Sequence, residues 1–268
     1  FNRGFSYFKI KNYQSALIDF NKSVELNSVD YLSFFFRGLV NGILKDYSKA
    51  IADFSKTIEL NPEYLDAYKN RGFYYFIIKS YDNALKDLNK VLSVDTGDIR
   101  SYFHRASCYY ETFKFAEAIE DFSKVIQKAQ NYMEPYYFRG LSYLKSHKLL
   151  LAIKDFTKVI ELKADFFPAY HQRGNCYAQI LNYELAFKDF NKCLELKPDF
   201  LDAYISRAVC YAATNKLDLA LQDLTRAVEL KPSEALIYKL RAKVYRALNK
   251  NDLAEKDEKK ARELESNR

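Results

Sequence analysis

The chain has 268 residues, of which 49% are hydrophobic and 29% charged, with only seven Gly and five Pro. That composition is too apolar for a disordered chain and too poor in turn residues for an all-β domain. The net charge of +7 comes from 42 basic and 35 acidic residues without a run of like charges, which argues against a nucleic-acid-binding surface. The longest uncharged apolar stretches, such as Phe73 to Ile78 and Leu149 to Ile153, are far too short to span a bilayer.

Along the chain the dominant signal is a repeat of 34 residues. Gly4, Gly38, Gly72, Gly140 and Gly174 fall on one grid, and Ala106, Ala208 and Ala242 occupy its remaining nodes. An arginine precedes every node, from Arg3 and Arg37 to Arg241. An alanine stands 12 residues after each node (Ala16 to Ala254) and an aspartate 15 after it (Asp19 to Asp257). Three positions therefore hold across eight repeats, which chance does not produce.

Tyr stands three residues after the node in seven repeats, with Asn41 the exception, and an aromatic stands four before it wherever the chain reaches. With the aromatics nine and sixteen residues after the node, five at each, these recurring places hold 24 of the 44 Tyr and Phe. Each unit carries two apolar stripes at helical spacing, split by a short polar link such as Lys79–Ser80.

In chain order the pattern predicts helix pairs at about 1–10 and 13–26, 31–44 and 47–60, 65–78 and 81–94, and 99–112 and 115–128. They continue at about 133–146 and 149–162, 167–180 and 183–196, 201–214 and 217–230, and 235–248 and 251–265. Small residues at the node and at the alanine let the two helices of a pair approach closely, and neighbouring pairs must stack to bury both faces. Residue 1 falls inside a first helix, so the chain is expected to begin within a longer solenoid. At the other end Glu255, Glu258 and Arg262 replace apolar residues, as a capping repeat requires.

A unit of 34 residues with an aromatic, Gly, Tyr, Ala, Phe and a terminal Pro (Pro62, Pro198, Pro232) at these offsets resembles the tetratricopeptide repeat. Here it is an Arg-Gly and Asp-Phe variant covering the whole chain. The resemblance implies an all-α, right-handed superhelical solenoid of antiparallel helix pairs. Its eight repeats would run 1–30, 31–64, 65–98, 99–132, 133–166, 167–200, 201–234 and 235–268, the first truncated and the last capping. It also implies that the first helices line a concave face where extended peptides or partner helices dock.

Catalytic and metal chemistry find no footing. Cys108, Cys176, Cys193 and Cys210 lack metal-ligand spacing and read as small buried residues of a reducing compartment, such as the cytoplasm, with an organelle or cytoskeletal assembly as other settings. Equivalent cysteines of stacked repeats, such as Cys176 and Cys210, lie too far apart for a disulfide. His104, His147 and His171 stand in separate repeats with no nucleophile pattern, and no phosphate-binding glycine loop occurs. The recurring Arg and Asp are expected to pair, Arg71 with Asp87 of its own repeat or Asp53 of the preceding one. No cofactor is implied.

Function is expected from the concave face: a non-catalytic scaffold or adaptor holding an apolar extended or helical segment of a partner protein. Phe35, Leu39, Phe73, Phe76, Ile77, Phe103, Tyr110, Tyr137, Leu141 and Leu144 form the expected apolar contact band, and Lys239, Lys243 and Arg246 a secondary basic stripe. A covered, purely structural band is the alternative. The carboxylate clamp known in the resembled family, which binds acidic chaperone C-termini, is matched only by Asn175. His171, Ser206, Leu236 and Leu240 occupy its other places. Competing roles are a co-chaperone or targeting receptor using the basic stripe, an architectural component of a large assembly, and a regulatory segment of a longer enzyme.

Overall fold

The computed structural model describes residues 1–266. Those residues form sixteen helices and no strand. The helices come in pairs: α1 (Asn2–Lys9) with α2 (Tyr13–Leu26), α3 (Tyr31–Ile43) with α4 (Tyr47–Leu60), α5 (Leu65–Ile77) with α6 (Tyr81–Val94), and α7 (Ile99–Glu111) with α8 (Phe115–Lys128). The later pairs are α9 (Met133–Lys145) with α10 (Leu149–Leu162), α11 (Phe167–Gln179) with α12 (Tyr183–Leu196), α13 (Leu201–Ala213) with α14 (Leu217–Leu230), and α15 (Ala235–Ala247) with α16 (Asn251–Ser266). Every boundary lies within one residue of the expected one. The chain divides into two compact units, Phe1–Gln130 and Asn131–Arg268, each built from four repeats.

Local chemistry sets the ends of the helices. Asn12, Asp46 and Asn182 accept hydrogen bonds from the backbone N–H of Ser15, Lys49 and Leu185, satisfying donors that the first turn leaves open. Each first helix stops at a residue of left-handed backbone: Lys11, Lys45, Lys79, Phe113, His147, Leu181, Asn215 and Asn249, with φ between 56 and 65°. In repeat 3 the Lys79 N–H donates to the Phe76 carbonyl (2.9 Å) and the Ser80 N–H to the Tyr75 carbonyl (2.8 Å). This double closure turns the chain sharply into the second helix. None of these eight residues is glycine, so each keeps a steric cost that a Cβ brings in this conformation.

The core of each unit is built at the crossing of paired helices. Ala16, Ala50, Ala84 and Ala118 in the first unit, and Ala152, Ala186, Ala220 and Ala254 in the second, are wholly buried. Opposite the nodes lie fully buried Phe20, Phe54, Leu88 and Phe122, then Phe156, Phe190 and Leu224. A Cβ at Gly140 or Gly174 would stand 2.8 Å from the ring of Phe156 or Phe190, which accounts for glycine there. In the last repeat the equivalent of those rings is Glu258, and Glu255 and Arg262 are exposed.

Gly42 lies off the grid and has its own reason. A Cβ at this position would collide with Oη and Cζ of Tyr74, whose ring stacks on Tyr47 and Phe54 (centroids 5.6 and 5.9 Å apart).

Two measurements of stability check these points. Gly42→Ala, ordinarily favourable inside a helix, should instead destabilise by about 1–3 kcal/mol, because Tyr74 must leave its stack. Lys79→Gly should stabilise by about 0.5–1 kcal/mol, whereas Asn215→Gly should change little, since asparagine tolerates this backbone. Urea denaturation midpoints of the three variants read both effects.

Candidate partner-binding surface

The recurring arginine and aspartate join the two helices of each repeat. In all eight repeats the guanidinium donates through Nε and Nη2 to both carboxylate oxygens of the aspartate 16 residues later, as Arg71 does to Asp87 at 2.8 Å on each arm. The expected pairing is made, and within one repeat. The preceding repeat is reached by a different partner: Nη1 of Arg37, Arg71, Arg105, Arg173 and Arg207 donates to Asn21, Ser55, Asn89, Thr157 and Asn191 at 2.5–3.2 Å.

Six of these arginines also lie between two rings, at 5.4–5.9 Å from each centroid, as Arg71 lies between Tyr68 and Tyr75. Burial holds the carboxyls of Asp53 and Asp155 above the usual carboxylate range, against the opposing pull of Arg37 and Arg139. These groups are spent on structure, and the surface left for function lies on the first helices. Neighbouring first helices touch within each unit, α3 with α5 and α5 with α7, α9 with α11 and α11 with α13.

In the first unit that face is largely filled by its own rings. Phe35 is 6% exposed, packed edge-on against Tyr64 (5.0 Å) and tilted against Phe54 (5.7 Å), so it belongs to the core and is withdrawn from the contact band. Phe73, Phe76 and Phe103 are half-buried around His104, with centroids 5.0, 6.2 and 5.7 Å from its ring. Leu39 is half-buried against the Phe54 cluster, and Tyr110 packs on Phe115 (5.9 Å). Of the expected band here, Ile77 is open, at 40% exposure, with Ile43 beside it in the pattern at 43%.

Sequence reasoning missed the pairing that covers this face. A residue three before the node meets the residue 29 positions later, at the start of the next first helix. Phe35 meets Tyr64, Tyr137 meets Phe166 (5.1 Å), His171 meets Phe200 (5.1 Å), and Lys69 meets Asp98 in an ion pair of 2.9 Å. Complementary character at this spacing was readable, ring with ring and cation with acid.

The second unit is more open. Where the first unit carries Phe76 and Tyr110, it carries Ala178 and Ala212. A cavity of about 510 Å³ opens across α9, α11 and α13, lined by Leu144, Lys145, His147, Asn175, Ala178, Gln179, Ile205, Ser206, Val209 and Cys210. Val209, 49% exposed, also walls a cavity of about 250 Å³ with Ala212, Leu240, Lys243 and Ala247.

On the floor His171 Nε2 stands 3.2 Å from Ser206 Oγ and 3.3 Å from Asn175 Nδ2. Burial lowers the His171 pKa, favouring the neutral ring, whose tautomer decides whether Nε2 accepts from one of them or donates to the serine. Leu141 and Leu144 are half-buried at the α9 end, beside Tyr137.

The basic stripe is mostly engaged. Lys239 pairs with Glu265 (2.5 Å) and Arg246 makes a two-armed bond to Glu258 (2.9 Å each), both on α16. Lys243 makes no ion pair among the described residues. A wider trough of about 730 Å³ lies along α14, beside Arg207 and Asp223, whose charges already satisfy each other.

The buried titratable groups are poor reagents. All four thiols are free and buried, and burial pushes Cys108, Cys176 and Cys193 up to about 12 and Cys210 to about 11. His104, whose Nδ1 is buried without a hydrogen-bond partner, is pushed down to about 4 by burial and then by Arg100, against the pull of Asp98. Its folded pKa lies below the ordinary 6.5, so the unfolded chain binds the proton first. The stability it contributes is therefore whole above about pH 6.5 and falls as pH drops toward about 4, by up to about 3 kcal/mol. His104→Phe should lose less stability than the parent between about pH 7 and pH 4.5, measured by urea denaturation at both.

The tetratricopeptide repeat model matches residues 1–30, 32–64, 99–132, 134–166, 167–200 and 201–234, well over half of the chain. No curated protein matches it. Among solved structures, the C-terminal part of a tetratricopeptide repeat-containing protein from Cytophaga hutchinsonii superposes with a TM-score of 0.74 at 20% identity, covering 89% of this chain and 98% of that one. A tetratricopeptide repeat protein from Parabacteroides merdae gives 0.68 at 23% identity, with 87% and 93% covered. YrrB, described as having an unusual peptide-binding site, gives 0.63 at 21% identity, with 69% and 95% covered. The chain belongs to the tetratricopeptide repeat family.

Proposed function

We propose that the chain is a non-catalytic protein-interaction scaffold, and that its second unit binds an extended segment of a partner along α9, α11, α13 and α15. The observation that carries this reading is the open floor around Asn175, Ala178, Ser206 and Val209, where the corresponding face of the first unit is filled by rings. Asn175 and Ser206 offer hydrogen bonds to a peptide backbone, Leu141, Leu144 and Val209 offer apolar contact, and Lys145 and Lys243 place positive charge at the rim. Ile77 and Leu39, between half-buried Phe73, Phe76, Phe103 and Tyr110, make a smaller apolar surface on the first unit. Tyr137, beside Leu141, borders the main site.

A scaffold role agrees with thiols held out of reach of deprotonation and with arginines and aspartates saturated by each other. Free buried thiols also support a reducing compartment. The described peptide site of YrrB lends the reading support by likeness of fold.

Peptides selected on the full chain from a random dodecapeptide library test it. Ala178→Trp, which fills the floor, should weaken the selected peptides at least about tenfold, or about 1.4 kcal/mol. Phe73→Ala should lower stability and leave affinity nearly unchanged. Peptides indifferent to Ala178→Trp, or lost with Phe73→Ala in protein that is still folded, would place binding elsewhere.

A further inference from the structure

Repeat 2 departs from the others at one position, and the departure leaves a hole of recognisable shape. In six repeats a tyrosine four residues after the recurring arginine lays its ring on the guanidinium, with centroids 5.8–5.9 Å from Cζ. Asn41 holds that place in repeat 2. Its side chain is buried and turned inward, donating from Nδ2 to Asp53 Oδ2 at 2.9 Å. Arg37 therefore keeps one ring, Phe34 at 5.3 Å, and lacks the second.

A cavity of about 340 Å³ stands there, between α2 and α4, lined by Leu17, Asn21, Arg37, Asn41, Lys49 and Ala52 among others. Shifted by one repeat, Leu17, Asn21, Lys49 and Ala52 correspond to Ile51, Ser55, Asn83 and Lys86 on the helices flanking Tyr75.

We propose that this notch receives an aromatic side chain, tyrosine above all, from a partner protein, its ring taking the place that the chain's own tyrosine fills in the other repeats. Arg37 is held for the purpose: Asp53 grips Nε and Nη2 (2.7–3.2 Å) and Asn21 accepts from Nη1 (3.2 Å). Its free face thus costs no side-chain ordering when a ring settles on it. Leu17 supplies an apolar wall, and Lys49, whose ammonium is drawn to Asp46 (2.7 Å), borders the opening. An aliphatic side chain would fill the space without the attraction between a guanidinium and a ring face, and an acidic one would compete with Asp53 for Arg37. The notch is lined from α2, α3 and α4 of the first unit, whereas the site proposed above is on the second.

The full chain, labelled with 15N-arginine, would be titrated with N-acetyltyrosinamide while the arginine Nε–Hε resonances are followed by NMR. The expected result is a saturable ring-current shift of one resonance, identified by its loss in Arg37→Lys, with millimolar affinity. N-acetylleucinamide should leave that resonance in place. Asn41→Tyr, which supplies the ring in cis, and Ala52→Trp, which closes the opening from an exposed position, should each abolish the response; if the first fails to fold, the second decides. A flat titration, an equal shift with the leucine probe, or a response that survives Ala52→Trp would overturn the proposal.

Discussion

The two-armed bond between Arg and Asp is the interaction on which the other features of each unit depend. Its carboxylate lies at the crossing of a first and a second helix, nearly removed from water, where an unpaired charge would cost several kcal/mol. The guanidinium makes the site tolerable by presenting two parallel donors to one carboxylate and, in most repeats, a third to the preceding second helix and two flat faces to rings on either side. Lysine has neither the fork nor the faces, so the position admits one residue type. Seven of the eight arginines are 14–22% exposed, which is consistent with a group that specifies register at least as much as it adds stability.

Much of this was legible beforehand. Helix boundaries followed from spacing alone, because the small node residue, the alanine and the aspartate mark the same geometric points in every repeat, and the Arg–Asp bond followed from their recurrence. The candidate site was harder to read. Phe35, three residues before its node, and Ile77, five after its own, look alike as apolar residues of a first helix, yet one is buried and the other open. What separates them is a residue 29 positions downstream of Phe35, Tyr64, in the link just before α5. Spacing within one helix assigns a face but does not reveal what a later loop lays over it.

The two units consequently differ in kind, although they share a grid. In the first, bulky rings at the stations facing outward from the first helices fill their own surface and enclose a neutral histidine. In the second, alanine, valine and asparagine at those stations leave room, and the last helix draws Lys239 and Arg246 toward its own acids while Lys243 is left at the rim. Small residues on a rigid frame make a better receiving surface than large ones, since space is kept open without strain.

The reach of each arginine also bears on how such a chain changes length. One guanidinium holds an aspartate 16 residues ahead and, in five repeats, a polar side chain 16 residues behind. Duplication or loss of one whole 34-residue unit leaves both reaches intact wherever the cut falls, because the residue met on either side is an equivalent one. An insertion of any other size within a helix carries one bonded residue away from its arginine. The bond that fixes register within a unit thus also sets the step in which copy number can drift, and the link between repeats, touched by neither arm, is the place where shorter insertions do least harm.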